Sequence, residues 1–294
     1  MQNNITSRTS YKLISGKGSR GYFNELKPGK LIGAWGYVAL LLIIAIGIPY
    51  FSVTVTSLIK LRGFGMQSGN YTFDHYITLF TANPRGLAAF KNSIFFAVTS
   101  ATIATVIGTA AATIIHYAKN KFLKLIHVIG LMPEMLPNIV FVIGIMIFWN
   151  TVYHIIPMYN SIWIIVLAYV TLFLPFSIQY VTSSYSQIGD NLVWAGKVFG
   201  GTPAYIFRRI TFPLLLRGIF VGWMMIFVIS FRELVTASII APPNTPVVST
   251  FIMREFEQGS VSVGMAMAVI SVIFTTGSLI IINKFMLRKK EWKT

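Results

Sequence analysis

Cysteine and acidic residues are what this chain of 294 residues lacks most. It has no cysteine, and eight aspartates and glutamates accompany 24 lysines and arginines, which gives a net charge of +16. The absence of cysteine excludes a disulfide framework, a thiol nucleophile and a cysteine-ligated metal site. Charged residues make up 11% of the chain, against about 25% in ordinary soluble domains. So little charge excludes most soluble enzymes and any disordered chain.

Apolar residues are abundant instead. They make up 55% of the sequence, the mean hydropathy is +0.69, and six runs reach the roughly 20 apolar residues that a membrane-spanning helix needs. Pro133, Glu134 and Pro137 interrupt the third run, and Arg232 and Glu233 lie inside the fifth. The pattern predicts an all-α membrane protein with six transmembrane helices, at residues 31–59, 92–118, 123–149, 162–182, 214–241 and 261–286.

The basic residues indicate how these helices are oriented. A basic chain can bind nucleic acid, but the cytoplasmic loops of membrane proteins also carry an excess of lysine and arginine. With the N-terminus inside, 18 of the 24 basic residues fall on cytoplasmic segments. We therefore expect a multi-pass protein of the bacterial plasma (inner) membrane, in contact with the lipid bilayer, with both termini cytoplasmic and no nucleic-acid partner. Its parts would be a retained basic leader (1–30), a six-helix domain (31–286) and a basic tail (287–294).

The predicted cytoplasmic connection between the fourth and fifth runs, about residues 183–213, is unusually long. Residues 188–198 have the spacing of an amphipathic helix, which the glycine pair 200–201 should end. Pro203 suits the first turn of a second helix, and that helix is predicted to end before Pro213. Two short helices outside the bilayer indicate a docking surface.

The same connection carries a recognisable motif. Permease subunits of binding-protein-dependent ABC importers share the pattern E-A-A-x3-G-x9-I-x-L-P, and this chain resembles it at every spacing. The matching residues are Trp194, Ala195, Gly196, Gly200, Ile210, Phe212 and Pro213. Tryptophan, glycine and phenylalanine replace the glutamate, the second alanine and the leucine of the pattern. The segments TFDHY and SFREL and the Asn92-Ser93 pair also look like this family.

This resemblance implies a type I ABC importer permease fold, in which the long connection is a coupling helix that inserts into an ATP-binding subunit. The residues expected to make that contact are Trp194, Ala195, Gly196, Lys197, Gly200, Gly201, Arg208, Arg209, Ile210 and Pro213. The chain has no G-x-x-x-x-G-K-[ST] loop for nucleotide phosphates, so it should bind no cofactor and be a transport subunit rather than an enzyme. ATP and Mg would bind to a pair of partner ATP-binding subunits.

Two further partners and a solute follow from the resemblance. A second permease, either a copy or a related chain, would complete the pathway, and an external solute-binding protein would deliver the solute. The wording SFREL…PPN…FEQGS…GMAMA resembles the ferric-iron branch of these importers, which implies ferric iron as the solute. Polyamine and aminoethylphosphonate importers belong to the same group and stay open as alternatives.

Ionisable residues inside the predicted spans are candidates for the pathway or its gate, because a charge that faces lipid is costly. They are Glu134, Arg232 and Glu233, and a structural contact between helices is the alternative for each. Neighbouring helix positions point about 100° apart, so Arg232 and Glu233 should each have a partner on another helix or in the second permease.

A membrane-embedded enzyme and a secondary transporter are the alternatives from other classes. The first would need a catalytic set that the spans do not present, and the second would leave the cytoplasmic motif without a purpose. The four histidines lie on different segments and form no H-E-x-x-H pair, so no metal site is predicted.

Overall fold

The computed structural model describes residues 28–117 and 121–288, so most of the predicted leader and tail, and residue 118 at the end of the second predicted span, lie outside the described residues. The regular structure of the described residues is helical, apart from one antiparallel bridge between Ile59 and Tyr71. The all-α class predicted from the sequence is therefore confirmed. Contacts divide the chain into two units, Met1–Phe51 and Ser52–Thr294, which are described separately.

The helices follow one another with short connections. The first unit contains α1 (Pro28–Leu42), a π turn (Ile43–Gly47) and the start of α2 (Ile48–Leu58). The second unit continues with α3 (Asp74–Thr81), α4 (Pro84–Tyr117), α5 (Lys121–Met135), α6 (Asn138–Thr151) and α7 (Ile162–Gln187). It then contains α8 (Asp190–Val198), α9 (Pro203–Ile206), a π turn (Phe207–Thr211), α10 (Phe212–Phe231), α11 (Val235–Ile240), α12 (Val248–Gln258) and α13 (Val261–Arg288).

Five helical segments among the described residues are long and apolar enough to cross a membrane. They are Gly29–Leu58, Pro84–Tyr117, Ile162–Gln187, Pro203–Phe231 and Val261–Ile281. The pair α5 and α6 makes a sixth if it counts as one broken span. Six predicted spans thus correspond to five regular ones and one sharply bent pair.

Helices α4, α7 and α10 form the core of the second unit, and small residues let them approach closely. A Cβ on Gly222 of α10 would lie 3.3 Å from the Ser177 Cα of α7, and one on Gly218 would collide with Ser184. Hydroxyls join the same helices, since Tyr185 donates to the Thr113 Oγ1 at 2.9 Å. Close packing through small residues is the usual device where lipid supplies no hydrophobic driving force.

Two of the predicted spans are not continuous. The third run is bent by 112° between α5 and α6, because Pro137 takes an extended conformation and bars Leu136 from the helical region. The fifth run was predicted to reach residue 241, but α10 ends at Phe231 and a new helix, α11, begins at Val235. Both breaks lie beside the ionisable residues that the sequence singles out.

Candidate functional site

The turn between α8 and α9 is closed by two glycines. Gly200 has a φ of +77°, a left-handed conformation that other residues adopt at a cost. Its N–H donates to the Lys197 carbonyl at 3.0 Å, and the Gly201 N–H donates to the Gly196 carbonyl at 2.9 Å. This is the Schellman arrangement, which satisfies the last carbonyls of a helix. The predicted helix stop at this glycine pair is confirmed.

Gly196 and Gly201 also bring the two short helices into contact. A Cβ on Gly201 would lie 2.8 Å from the Gly196 carbonyl oxygen, closer than packed atoms allow. A Cβ on Gly196 would lie 3.0 Å from the Ile210 side chain and 3.1 Å from the buried Ile206 side chain. The glycine at the second alanine position of the motif therefore has a packing role.

The second short helix continues into the membrane helix. Thr202 caps it, since its Oγ1 accepts a hydrogen bond from the Tyr205 N–H at 3.3 Å. The prediction that it ends before Pro213 is wrong: the π turn, in which the Phe212 N–H donates to the Phe207 carbonyl, leads directly into α10. Pro213 therefore lies two residues after the π turn, inside one continuous helical segment that runs from Pro203 to Phe231.

Large apolar side chains of this connection face solvent, although α8 lies outside the apolar spans. Phe199 is 90% exposed, Val198 80% and Trp194 62%, and Tyr205 is also exposed. The Lys197 Nζ lies 4.8 Å from the centre of the Trp194 ring, in a cation–π contact. We call Trp194, Val198, Phe199 and Tyr205 the exposed apolar surface. Exposed apolar patches of this kind are typical of surfaces that contact another protein or a membrane.

The predicted coupling residues thus divide into two groups. Side chains that face solvent belong to Trp194, Ala195, Lys197, Arg208, Arg209 and Pro213. The remaining residues, Gly196, Gly200, Gly201 and Ile210, shape the turn and the contact between the short helices. The contact of the first group with a partner subunit stays a prediction.

Glu134 lies at the end of α5, next to the bend. Its side chain is exposed, and its Oε2 accepts a hydrogen bond from the Nε2 of Gln179 on α7. Pro133 is buried beside it, so the proline side of α5 packs inward while the carboxylate faces outward. The role of Glu134 in transport stays a prediction.

Arg232 and Glu233 have opposite surroundings at the break between α10 and α11. Arg232 is exposed, whereas Glu233 is 8% exposed. The Glu233 Oε2 accepts from the Thr236 N–H at 2.8 Å, and the Glu233 carbonyl accepts from the Ser249 Oγ at 2.6 Å. The Glu233 carboxylate therefore bonds to backbone at the start of α11, while the hydroxyl of Tyr169 on α7 donates to the Glu233 backbone carbonyl at 3.5 Å. This geometry favours a structural role.

A pocket of about 560 Å³ lies at the opposite end of the second unit from α8, between the start of α4 and helices α11 and α12. Exposed Arg85 and Arg254 line it, together with Glu257 and the proline-rich connection that contains Asn244. Two arginines at its rim give the pocket a surplus of positive charge.

Sequence reasoning gave no structural role to two residues that hold this end together. The Asn92 Nδ2 donates to the Pro246 carbonyl at 2.9 Å, and the Ser93 Oγ accepts from the Val248 N–H at 2.8 Å. They fix the connection between α11 and α12 to α4. The sequence feature that could have indicated this role is the pair of adjacent polar residues at the start of an apolar run. Sequence reasoning also gave no role to Gln179, because a neutral amide within a span is less unusual than a charged group.

Among the described residues, no group of three or more histidine, cysteine, aspartate or glutamate side chains is placed to hold a metal ion.

Comparison with known proteins places the chain among transport components. Residues 104–291 match the family described as binding-protein-dependent transport system inner membrane component. The chain is 23% identical over 244 residues to the spermidine/putrescine transport system permease protein PotC of Haemophilus influenzae, covering 83% of this chain and 92% of that protein. It is 22% identical over 277 residues to the Fe(3+)-transport system permease protein FbpB 2 of the same species, covering 92% of this chain and 51% of that protein.

A solved structure shares the fold. A chain of a bacterial alginate ABC transporter, in complex with an alginate pentasaccharide-bound periplasmic protein, superposes with a TM-score of 0.70 at 17% identity. The superposition covers 88% of this chain and 94% of that chain.

Proposed function

Because the chain belongs to the family of binding-protein-dependent transport system inner membrane components, and so is a type I ABC importer permease, we propose that it forms half of a translocation pathway for a solute delivered by an external binding protein. Family membership makes it a multi-pass inner-membrane protein, and its relatives are transport permeases rather than enzymes. The basic segments support a topology with both termini in the cytoplasm.

The observation that carries the coupling role is the exposed apolar surface on a glycine-closed turn. We propose that it docks on an ATP-binding subunit, one of a pair that binds ATP and Mg. From Pro203 to Phe231 the chain is helical over 29 residues, about 43 Å at the ordinary helical rise. Closure of the ATP-binding pair would move α8 and α9, and this helix would pass the motion to the packed core of α4, α7 and α10.

The solute and the second permease belong to the same proposal. Ferric iron is the first candidate from the sequence wording, with polyamine and aminoethylphosphonate as alternatives. One relative is named for polyamine transport and another for Fe(3+) transport, so the relatives do not distinguish between these solutes. The second permease would be another copy or a related chain. Glu134, Arg232 and Glu233 remain the proposed pathway or gate residues, with Glu233 the weakest candidate because its carboxylate caps α11.

Gly201→Val tests the coupling role. Its Cβ would lie 2.8 Å from a backbone carbonyl, so α8 and α9 must separate. We expect co-purification of the ATP-hydrolysing subunit from membranes to fall at least about tenfold, since one misplaced anchor costs 2 kcal/mol or more in typical interfaces. Gly189→Val, in the same connection with nothing within 4 Å of its Cβ, is the matched control. Unchanged ATPase association and ATP-driven uptake in Gly201→Val would contradict the proposal.

The positively charged outer pocket is the surface we propose for the external solute-binding protein. Charge reversal of Arg85 and Arg254 together to glutamate should lower stimulation of ATP hydrolysis by that protein about tenfold, because charge pairs at interfaces are worth 1.5 kcal/mol or more. Association with the ATPase should be unaffected. The matched control reverses exposed Lys60 and Arg62, which lie outside the pocket. Equal stimulation in both double variants would exclude this surface.

A further inference from the structure

The most deeply packed span has one exposed polar face. In α7, 61% of the apolar 18-residue stretch is buried, a larger share than in the corresponding stretches of the other four regular spans. Its last two turns nevertheless expose Gln179, Ser183 and Ser186, which follow one another at spacings of four and three and so share one side of the helix. We call these three residues the polar face. It begins about 12 Å before the end of α7 at Gln187, on the proposed cytoplasmic side.

Glu134 adds a negative charge to the top of the polar face. Helix α5 packs closely on α7, since a Cβ on Gly130 would lie 2.6 Å from the Ile178 side chain. Four residues further along α5, the Glu134 carboxylate meets the Gln179 amide. Because the amide is neutral, the pair keeps the full charge of the carboxylate. Both side chains are exposed.

Lipid is a poor environment for the end of this face that lies within the predicted span, at Gln179 and Glu134, whereas Ser183 and Ser186 belong to the predicted cytoplasmic connection. An ionised carboxylate toward hydrocarbon is costly, and intramembrane charges normally face a water-filled cavity or a bundle interior. Serines and a glutamine continue the polar character from Glu134 toward the cytoplasmic end, as expected for the wall of an aqueous passage. The bend after Pro133 places the carboxylate where non-helical backbone is tolerated only beside such a cavity or inside protein.

On the basis of the proposed function, we propose that Glu134 and Gln179 form a binding site for a positively charged group of the solute. The site lies where the cytoplasmic half of the pathway begins. The carboxylate attracts the positive charge, the amide orients the carboxylate, and the serine hydroxyls hydrate the group as it moves inward. An ammonium group and a metal cation present the same chemistry to this site, and the experiment separates them.

The test uses the complete importer in proteoliposomes, with radiolabelled putrescine in one arm and ferric citrate in the other. ATP-driven initial rates are measured for wild type, Glu134→Gln, Glu134→Asp and the control Asp74→Asn, which removes an exposed carboxylate from α3. We expect Glu134→Gln to raise KM at least about tenfold for the transported cation, the effect of losing one hydrogen-bonded charge. Glu134→Asp should keep most of the affinity, and the control should match wild type.

Gln179→Lys separates a solute site from a packing contact. Its ammonium would pair with Glu134 and keep the two helices joined, so a merely structural pair predicts normal uptake, whereas the proposal predicts loss of cation uptake. The inference is overturned if Glu134→Gln keeps the KM of the wild type or if Gln179→Lys takes up the cation normally. It is also overturned if the wild-type importer transports neither putrescine nor ferric iron. The proposed function fails separately, if no ATPase co-purifies and no solute is taken up with ATP.

Discussion

Phe199→Asp should separate this permease from its ATP-binding subunits while leaving the permease folded. Phe199 is 90% exposed, so its ring makes little packing contact within the chain and its replacement costs the fold little. At an interface the same ring would be a central anchor, and such aromatic anchors carry 2 kcal/mol or more, about thirtyfold in affinity. Aspartate would also place an unpaired charge against the apolar surface of the partner. We therefore expect at least about thirtyfold weaker ATPase association in detergent and loss of ATP-driven uptake.

The control for this experiment is Ile155→Asp. Ile155 is 82% exposed and lies in the connection between α6 and α7, on the outer side in the proposed topology. It offers the same change from a large exposed apolar residue to a charge, away from the exposed apolar surface. Thermal unfolding of both variants should match wild type. If Phe199→Asp associates with the ATPase as wild type does, the exposed apolar surface is not the docking site.

The prediction of the coupling turn succeeded because its determinants are local. A left-handed residue at 200 and close backbone approach at 201 need glycine whatever surrounds them, and two adjacent glycines after an amphipathic run therefore predict the stop. The same local reasoning failed at Pro213. A proline was expected to end a helix, but a π turn upstream changed the hydrogen-bond register, and no feature of the sequence announces that turn.

Hydropathy could count the spans but not describe their breaks. A window of about 20 residues averages over the bend before Pro137 and over the three residues between α10 and α11, since the flanks of each break are strongly apolar. The role of Glu233 was out of reach for another reason. Its carboxylate bonds to backbone that becomes available only when the helix breaks, and Ser249, which binds its carbonyl, lies 16 residues further along.

Gly218→Leu should have the largest effect on folding. Any Cβ at this position collides with Ser184 and lies 3.0 Å from the Tyr180 carbonyl oxygen, so α10 would have to move away from α7. Overpacking a core typically costs about 1–3 kcal/mol, and leucine adds four carbons at a site that has no room for one. We expect little folded protein, and in the surviving fraction a thermal midpoint lower by roughly 10 °C in detergent. Gly144→Leu, on α6 with nothing within 4 Å, should unfold like wild type.

A rescue experiment decides which surface Gly218 serves. With the smaller change Gly218→Ala, the added methyl meets the Ser184 side chain, and Ser184→Gly would remove that obstacle within the same chain. Contacting residues are coupled, so the double variant should be more stable than Gly218→Ala alone, by at least about 0.5 kcal/mol more than additivity predicts. If the glycine pair 218 and 222 instead formed a seam with the second permease, Ser184→Gly would bring no recovery and the defect would depend on permease concentration. Recovery that is independent of concentration would place the close approach of α10 and α7 inside one subunit, which the coupling role of the helix requires.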